Sequence, residues 1–136
     1  MSRAGTYEAE GAFTVSCRRL EEAEKTALSA AGYAGEGVVV ALAGELDLAT
    51  AQVAEEELSR AEASQELIVL DLSGVSFIDS TGLRLMIAAD RRARERGGAF
   101  VIVHPAPQVR RLLDLSGIAH HLELVQSLDG GPPGES

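Results

Sequence analysis

LIVLDLSGVSFIDSTGLRLMIAADRRARERGGAFVIV, residues 67–103, holds two apolar runs separated by one helix-length segment. Leu67-Ile68-Val69-Leu70 is nearly continuous in apolar residues, the mark of a strand covered on both faces. Phe100-Val101-Ile102-Val103 repeats the pattern, and Pro105 and Pro107 break it. Between them, after the stretch Ser73 to Asp79, a helix is predicted from about Ser80 to Arg96. Gly97-Gly98 is a strong C-terminal stop for it. At about 100° per residue, Gly82, Leu85, Met86, Ala89 and Ala93 form its sheet-facing stripe. Strand, helix and strand in this order imply parallel neighbours joined by a crossover, hence an α/β sheet.

The same punctuation continues outward. Val38-Val39-Val40-Ala41-Leu42 reads as a strand ended by Gly44, and Asp47 stands where it can cap a following helix. Ala51, Ala54, Leu58 and Ala61 give that helix one apolar stripe. Downstream, Val109, Leu112, Leu113 and Ser116 mark a third helix stopped at Gly117, and Leu122 to Val125 a last short strand. Upstream, Phe13 to Cys17 alternates like a half-buried first strand. Arg19 to Ala34 is rich in Glu and Ala, with Leu20, Ala23, Ala27 and Ala31 at helical spacing. A short helix and an acidic loop both fit it, and the loop is preferred. The division expected is a flexible N-terminus over 1–11, one domain over 12–127 with an acidic insertion or loop at 19–36, and a disordered tail over 128–136.

Composition bounds the function. The chain has 136 residues and 46% hydrophobic residues, enough for one domain with a real core. That core is aliphatic, since aromatics are 4% and Trp is absent. A net charge of −9 disfavours direct nucleic-acid binding and anionic membranes, which require surplus Lys and Arg. A lone Cys17 excludes an intramolecular disulfide framework and a Cys-rich zinc site. With no apolar leader and no membrane-length run, a cytoplasmic location is expected.

Enzyme motifs are mostly absent: there is no P-loop, no dinucleotide fingerprint and no nucleophile elbow. His120 and His121 are adjacent and point apart, and His104 closes a strand, so no metal site is expected. Arg84 to Arg111 carries seven Arg against two acids, either a solvated helix face or a polarised surface that steers a protein partner. The sharpest feature is Phe77-Ile78-Asp79-Ser80-Thr81-Gly82-Leu83. Asp79 or Ser80 can cap the helix that begins there. Capping leaves Gly82 unexplained, because Gly lowers helix propensity by about 1 kcal/mol. A close approach to the backbone would account for it, and a hydroxyl at a helix start is a good place for a phosphate. Leu83 and Ile87 fall off the sheet-facing stripe beside Ser80, which points to a partner surface, although isolated exposed aliphatics are common.

Three segments resemble the STAS domain family, and within it the bacterial anti-sigma factor antagonists. They are Gly44-Glu45-Leu46-Asp47, Asp79-Ser80-Thr81-Gly82-Leu83, and Val109-Arg110-Arg111-Leu112-Leu113-Asp114-Leu115-Ser116-Gly117-Ile118. The resemblance spans about Phe13 to Ser127. It implies a single α/β domain, a four- to five-stranded mixed sheet with helices packed on one side. It implies a regulator without catalytic residues, metal or cofactor, whose unphosphorylated form binds an anti-sigma factor, often a serine kinase, and frees a sigma factor. Ser80 would be the phosphoacceptor, Asp47 and Asp79 its flanking acids, and Thr81, Gly82 and Leu83 the contact surface, to which the position of Ile87 off the stripe adds a further contact; a serine phosphatase would reset it. The rival roles are a scaffold subunit of a stress-sensing complex and an accessory subunit of a transporter ATPase. An enzyme with Ser80 as nucleophile is disfavoured, because no motif places a base beside it.

Overall fold

The apolar runs become neighbouring strands of a single sheet. The computed structural model describes residues 5–9, 13–125 and 127–128. Strands β1 (Gly5–Ala9), β2 (Phe13–Arg19), β3 (Gly37–Leu46), β4 (Leu67–Ile78), β5 (Ala99–Val103) and β6 (Glu123–Val125) lie side by side in chain order. Four helices intervene: α1 (Glu22–Ala30), α2 (Ala51–Glu62), α3 (Ser80–Glu95) and α4 (Pro107–Ser116). β1, β2 and β3 pair antiparallel, whereas β3 through β6 pair parallel. Strands β2–β6 make the five-stranded mixed sheet that the resemblance implies, and β1 adds a sixth at the outer edge.

Each face of β4 has its own core. Ile68 and Leu70 pack with Val40, Phe100 and Ile102 under α2, α3 and α4, through Leu58, Met86 and Leu113 among others. Leu67 and Val69 face the other way, with Val39, Val101 and Val103. The three crossovers share one face for a simple reason. Strand order advances in a single direction from β3 to β6, and crossovers of one hand then put every helix on the same side.

That rule does not bind α1, which joins antiparallel neighbours, and α1 lies on the opposite face. The expectation of helices on one side therefore holds for α2, α3 and α4 and fails for α1. Leu28 is fully buried against Val39, Val69 and Val101, covering a surface that would otherwise be wet. The preferred loop reading of 19–36 is also corrected, since nine of its residues are helical. The helix start is held by charge: Arg18 forks onto Glu24 at 2.8 and 2.6 Å, and the Glu21 amide donates to Glu24 Oε1 at 2.9 Å. The Arg18 hydrogen bond holds the Glu24 carboxyl below its ordinary range.

The termini are also more ordered than expected. Gly5–Ala9 of the N-terminal segment pairs with β2, and Leu128 is buried in the α1-side core with its amide 3.4 Å from His104 Nε2. The rest of the expected flexible ends, 1–4, 10–12 and 129–136, lies outside the described residues. Beyond α1, the Tyr33 hydroxyl donates to the Glu123 carboxylate on β6. Burial, with that bond, pushes Tyr33 up to about 12. Arg94 of α3 approaches Glu123 at 3.6 Å, so Glu123 ties the α1 side to the α3 side around the sheet edge.

Candidate functional site

Strands β3 and β4 end in register, Leu46 beside Ile78, and the Asp79 amide donates to the Leu46 carbonyl at 3.2 Å. This one end of the sheet therefore carries both acidic turns picked out from the sequence. Asp47 Oδ1 accepts from the amides of Ala49 and Thr50 at 3.0 and 3.2 Å. The buried Thr50 hydroxyl donates to the Glu45 carbonyl at 2.7 Å and accepts from the Asp47 amide at 3.0 Å. Asp47 thus closes a side-chain turn ahead of α2, while Thr50 occupies the helix cap position. The capping role expected of Asp47 holds in this form: its carboxylate takes those two amides and its carbonyl accepts from the Ala51 amide at 2.8 Å, with the regular helix starting at Ala51. Leu48 stands at the turn's tip, 78% exposed.

The second turn is tighter. Asp79 caps α3, its Oδ1 accepting from the amides of Thr81 at 2.8 Å and Gly82 at 3.2 Å. Its carbonyl accepts from the Leu83 amide at 3.1 Å. Ser80, the first helical residue, is exposed, and Thr81 is half-buried.

Gly82 has a reason internal to the fold. It is buried, and a Cβ there would lie 2.8 Å from Ile78 Cγ2 and 3.0 Å from Leu46 Cγ. The close approach inferred from the sequence is made by the ends of β3 and β4, in place of a visiting molecule. Gly82 lets α3 start directly on the sheet and so fixes where Ser80 emerges. Gly82→Ala is expected to cost about 1–3 kcal/mol by overpacking, despite the better helix propensity of Ala. Chemical denaturation checks this: an unchanged or higher midpoint contradicts the packing role.

Leu83 is half-buried against the core, more covered than its place off the stripe implies, whereas Ile87 is 37% exposed. Of the four large hydrophobic residues exposed among those described, Leu48, Phe77 and Ile87 belong to the elements flanking Ser80; the fourth, Leu115, is on α4. Leu48 and Phe77 were not singled out from the sequence as contacts. Each follows a point where the strand pattern breaks, Leu48 just past the end of β3 and Phe77 beyond Ser73-Gly74.

The arginine-rich stretch divides. Arg92 bridges to Glu62 and to Glu55, each at 2.8 Å, tying α3 to α2, and Arg94 meets Asp90 at 2.8 Å. Arg84 and Arg91 are exposed and form no ion pair among the described residues. His104 stands at the end of β5, and His120 and His121 are exposed in the turn beyond α4. No group of three or more potential metal ligands occurs among the described residues, and no helix there is long and apolar enough to cross a membrane.

Comparison with known proteins agrees with this architecture. The STAS domain profile matches residues 28–130. An anti-sigma F factor antagonist of Paenibacillus polymyxa is 34% identical, over 60% of this chain and 71% of its own. The crystal structure of an anti-sigma factor antagonist from Mycobacterium paratuberculosis superposes with a TM-score of 0.58 at 31% identity, covering 68% of this chain and 79% of that one. The Bacillus cell fate determinant SpoIIAA in its phosphorylated form gives 0.53 at 25% identity, covering 67% and 84%. These relatives are named for a regulatory binding role and not for catalysis. With a profile match across most of its length and the strand order and helix placement to go with it, the chain belongs to the STAS domain family.

Proposed function

We propose that this protein is an anti-sigma factor antagonist that binds an anti-sigma factor through the surface around Ser80 and thereby frees a sigma factor. In this reading the anti-sigma factor is also a serine kinase. It transfers the γ-phosphoryl group of ATP to Ser80 Oγ, releasing ADP and the hydroxyl proton, and the phosphorylated chain lets go. A serine phosphatase restores the hydroxyl. The two relatives named as antagonists, together with the Bacillus cell fate determinant SpoIIAA solved in a phosphorylated form, support the role. The observation that carries the site is the exposed Ser80 hydroxyl at the start of α3, flanked by exposed Leu48, Phe77 and Ile87. Thr81 and Leu83 complete the contact surface. Asp47 and Asp79 act on it by shaping the two turns, and Gly82 by seating the helix.

The test is incubation with the cognate anti-sigma factor and magnesium ATP, followed by phosphosite mapping. Phosphate on Ser80, absent from Ser80→Ala, is the expected result; phosphate on Thr81, or none, contradicts the assignment. The apolar contacts are tested separately. Ile87→Ala is expected to change stability by no more than about 0.5 kcal/mol. It should weaken partner binding by about 2 kcal/mol, as truncated interface anchors do. Leu83→Ala should weaken binding similarly and, being half-buried, cost about 1 kcal/mol of stability as well. Calorimetric titration beside thermal melts reads both, and full affinity in both variants removes this helix face from the interface.

A further inference from the structure

Arg84 lies one helical turn beyond Ser80, at i+4, on the same side of α3. Helical side chains lean toward the N-terminus, so Arg84 leans over the turn that carries Ser80. An acid placed four residues before a base is the favourable order for such a pair. Elsewhere on α3, Arg92 is paired with Glu55 and Glu62 and Arg94 with Asp90; Arg84 and Arg91 have no ion pair among the described residues, and Arg91 lies about three helical turns from Ser80, out of reach of it.

Most of the groups that ordinarily receive a phosphate at a helix start are already in use, Ser80's own amide excepted. Asp79 Oδ1 takes the amides of Thr81 and Gly82, and the Asp79 carbonyl takes that of Leu83. The Asp79 and Asp47 carboxylates also repel a new dianion from the turn side. The guanidinium one turn away is the charged side chain left to it. We propose that Arg84 is the intramolecular receiver of a phosphate on Ser80, so that modification withdraws a free cation from this surface as well as adding negative charge. The proposal rests on the reading of Ser80 as the phosphorylation site.

The test installs phosphoserine at position 80 during translation, so it needs neither kinase nor anti-sigma factor. Phosphorus NMR then follows the phosphate through its second ionisation. The phosphate of the otherwise wild-type chain is expected to titrate about 0.2–0.4 pH units lower than in Arg84→Ala. Arg84→Lys should keep part of that shift, and Arg91→Ala should leave it whole. Superimposable titrations with and without Arg84 overturn the proposal. A chain that shows the shift but is never phosphorylated by its partner would instead overturn the functional reading and leave the capture standing.

Discussion

Phosphorylated at Ser80, the protein is expected to keep its fold and to lose about 100-fold or more in affinity for its anti-sigma factor. The fold survives because the charge lands at the amino end of α3, where the helix dipole tolerates it and where Ser80 is exposed. The affinity falls because about 1.5–2 negative charges are placed among Leu48, Phe77 and Ile87, on a surface that partner contact must dry. Like charge and desolvation together cost several kcal/mol at an interface. Ser80→Asp should reproduce the loss incompletely, having a single charge and fewer acceptor oxygens. Calorimetric titration with circular-dichroism melts measures both quantities. A melting temperature lowered by many degrees, or unaltered binding, contradicts a gate that acts at the interface.

The largest loss of stability is expected at Leu28. It is the one buried residue of α1, fully enclosed by Val39, Val69, Val101 and their neighbours. Leu28→Ala should cost about 2–5 kcal/mol, by lost transfer energy and by the cavity left behind. Urea denaturation reads it directly. A cost below about 1 kcal/mol would mean that α1 does not cover that face in solution, returning residues 19–36 to the loop first expected of them.

That contrast shows where local sequence speaks and where it does not. The β4, α3 and β5 unit was legible because three signals coincide: apolar runs, a helical stripe from Gly82 to Ala93, and the Gly97-Gly98 stop. α1 was not, because one anchor in a nine-residue helix makes no stripe, and spacing pointed to Ala23 and Ala31, both of which are exposed. β1 was hidden for a related reason: Gly5–Ala9 is small and polar, and its strand character comes from pairing with β2. At the site, the Asp79 cap follows from residue type and position. The role of Gly82 does not, since the groups that forbid a Cβ, Leu46 and Ile78, meet it only in the folded sheet. Exposure of Leu48 and Phe77 was equally out of reach, because an apolar residue at a turn or an irregular strand end carries no sign of which way it faces.

Release of the sigma factor is read by displacement. The purified anti-sigma factor is loaded with its sigma factor, the unphosphorylated chain is added, and free sigma factor is measured by size-exclusion chromatography and by transcription from a sigma-dependent promoter. Release that saturates with added chain, and no release by the Ser80-phosphorylated form, is the expected result. A complex that stays intact with excess unphosphorylated chain would contradict it.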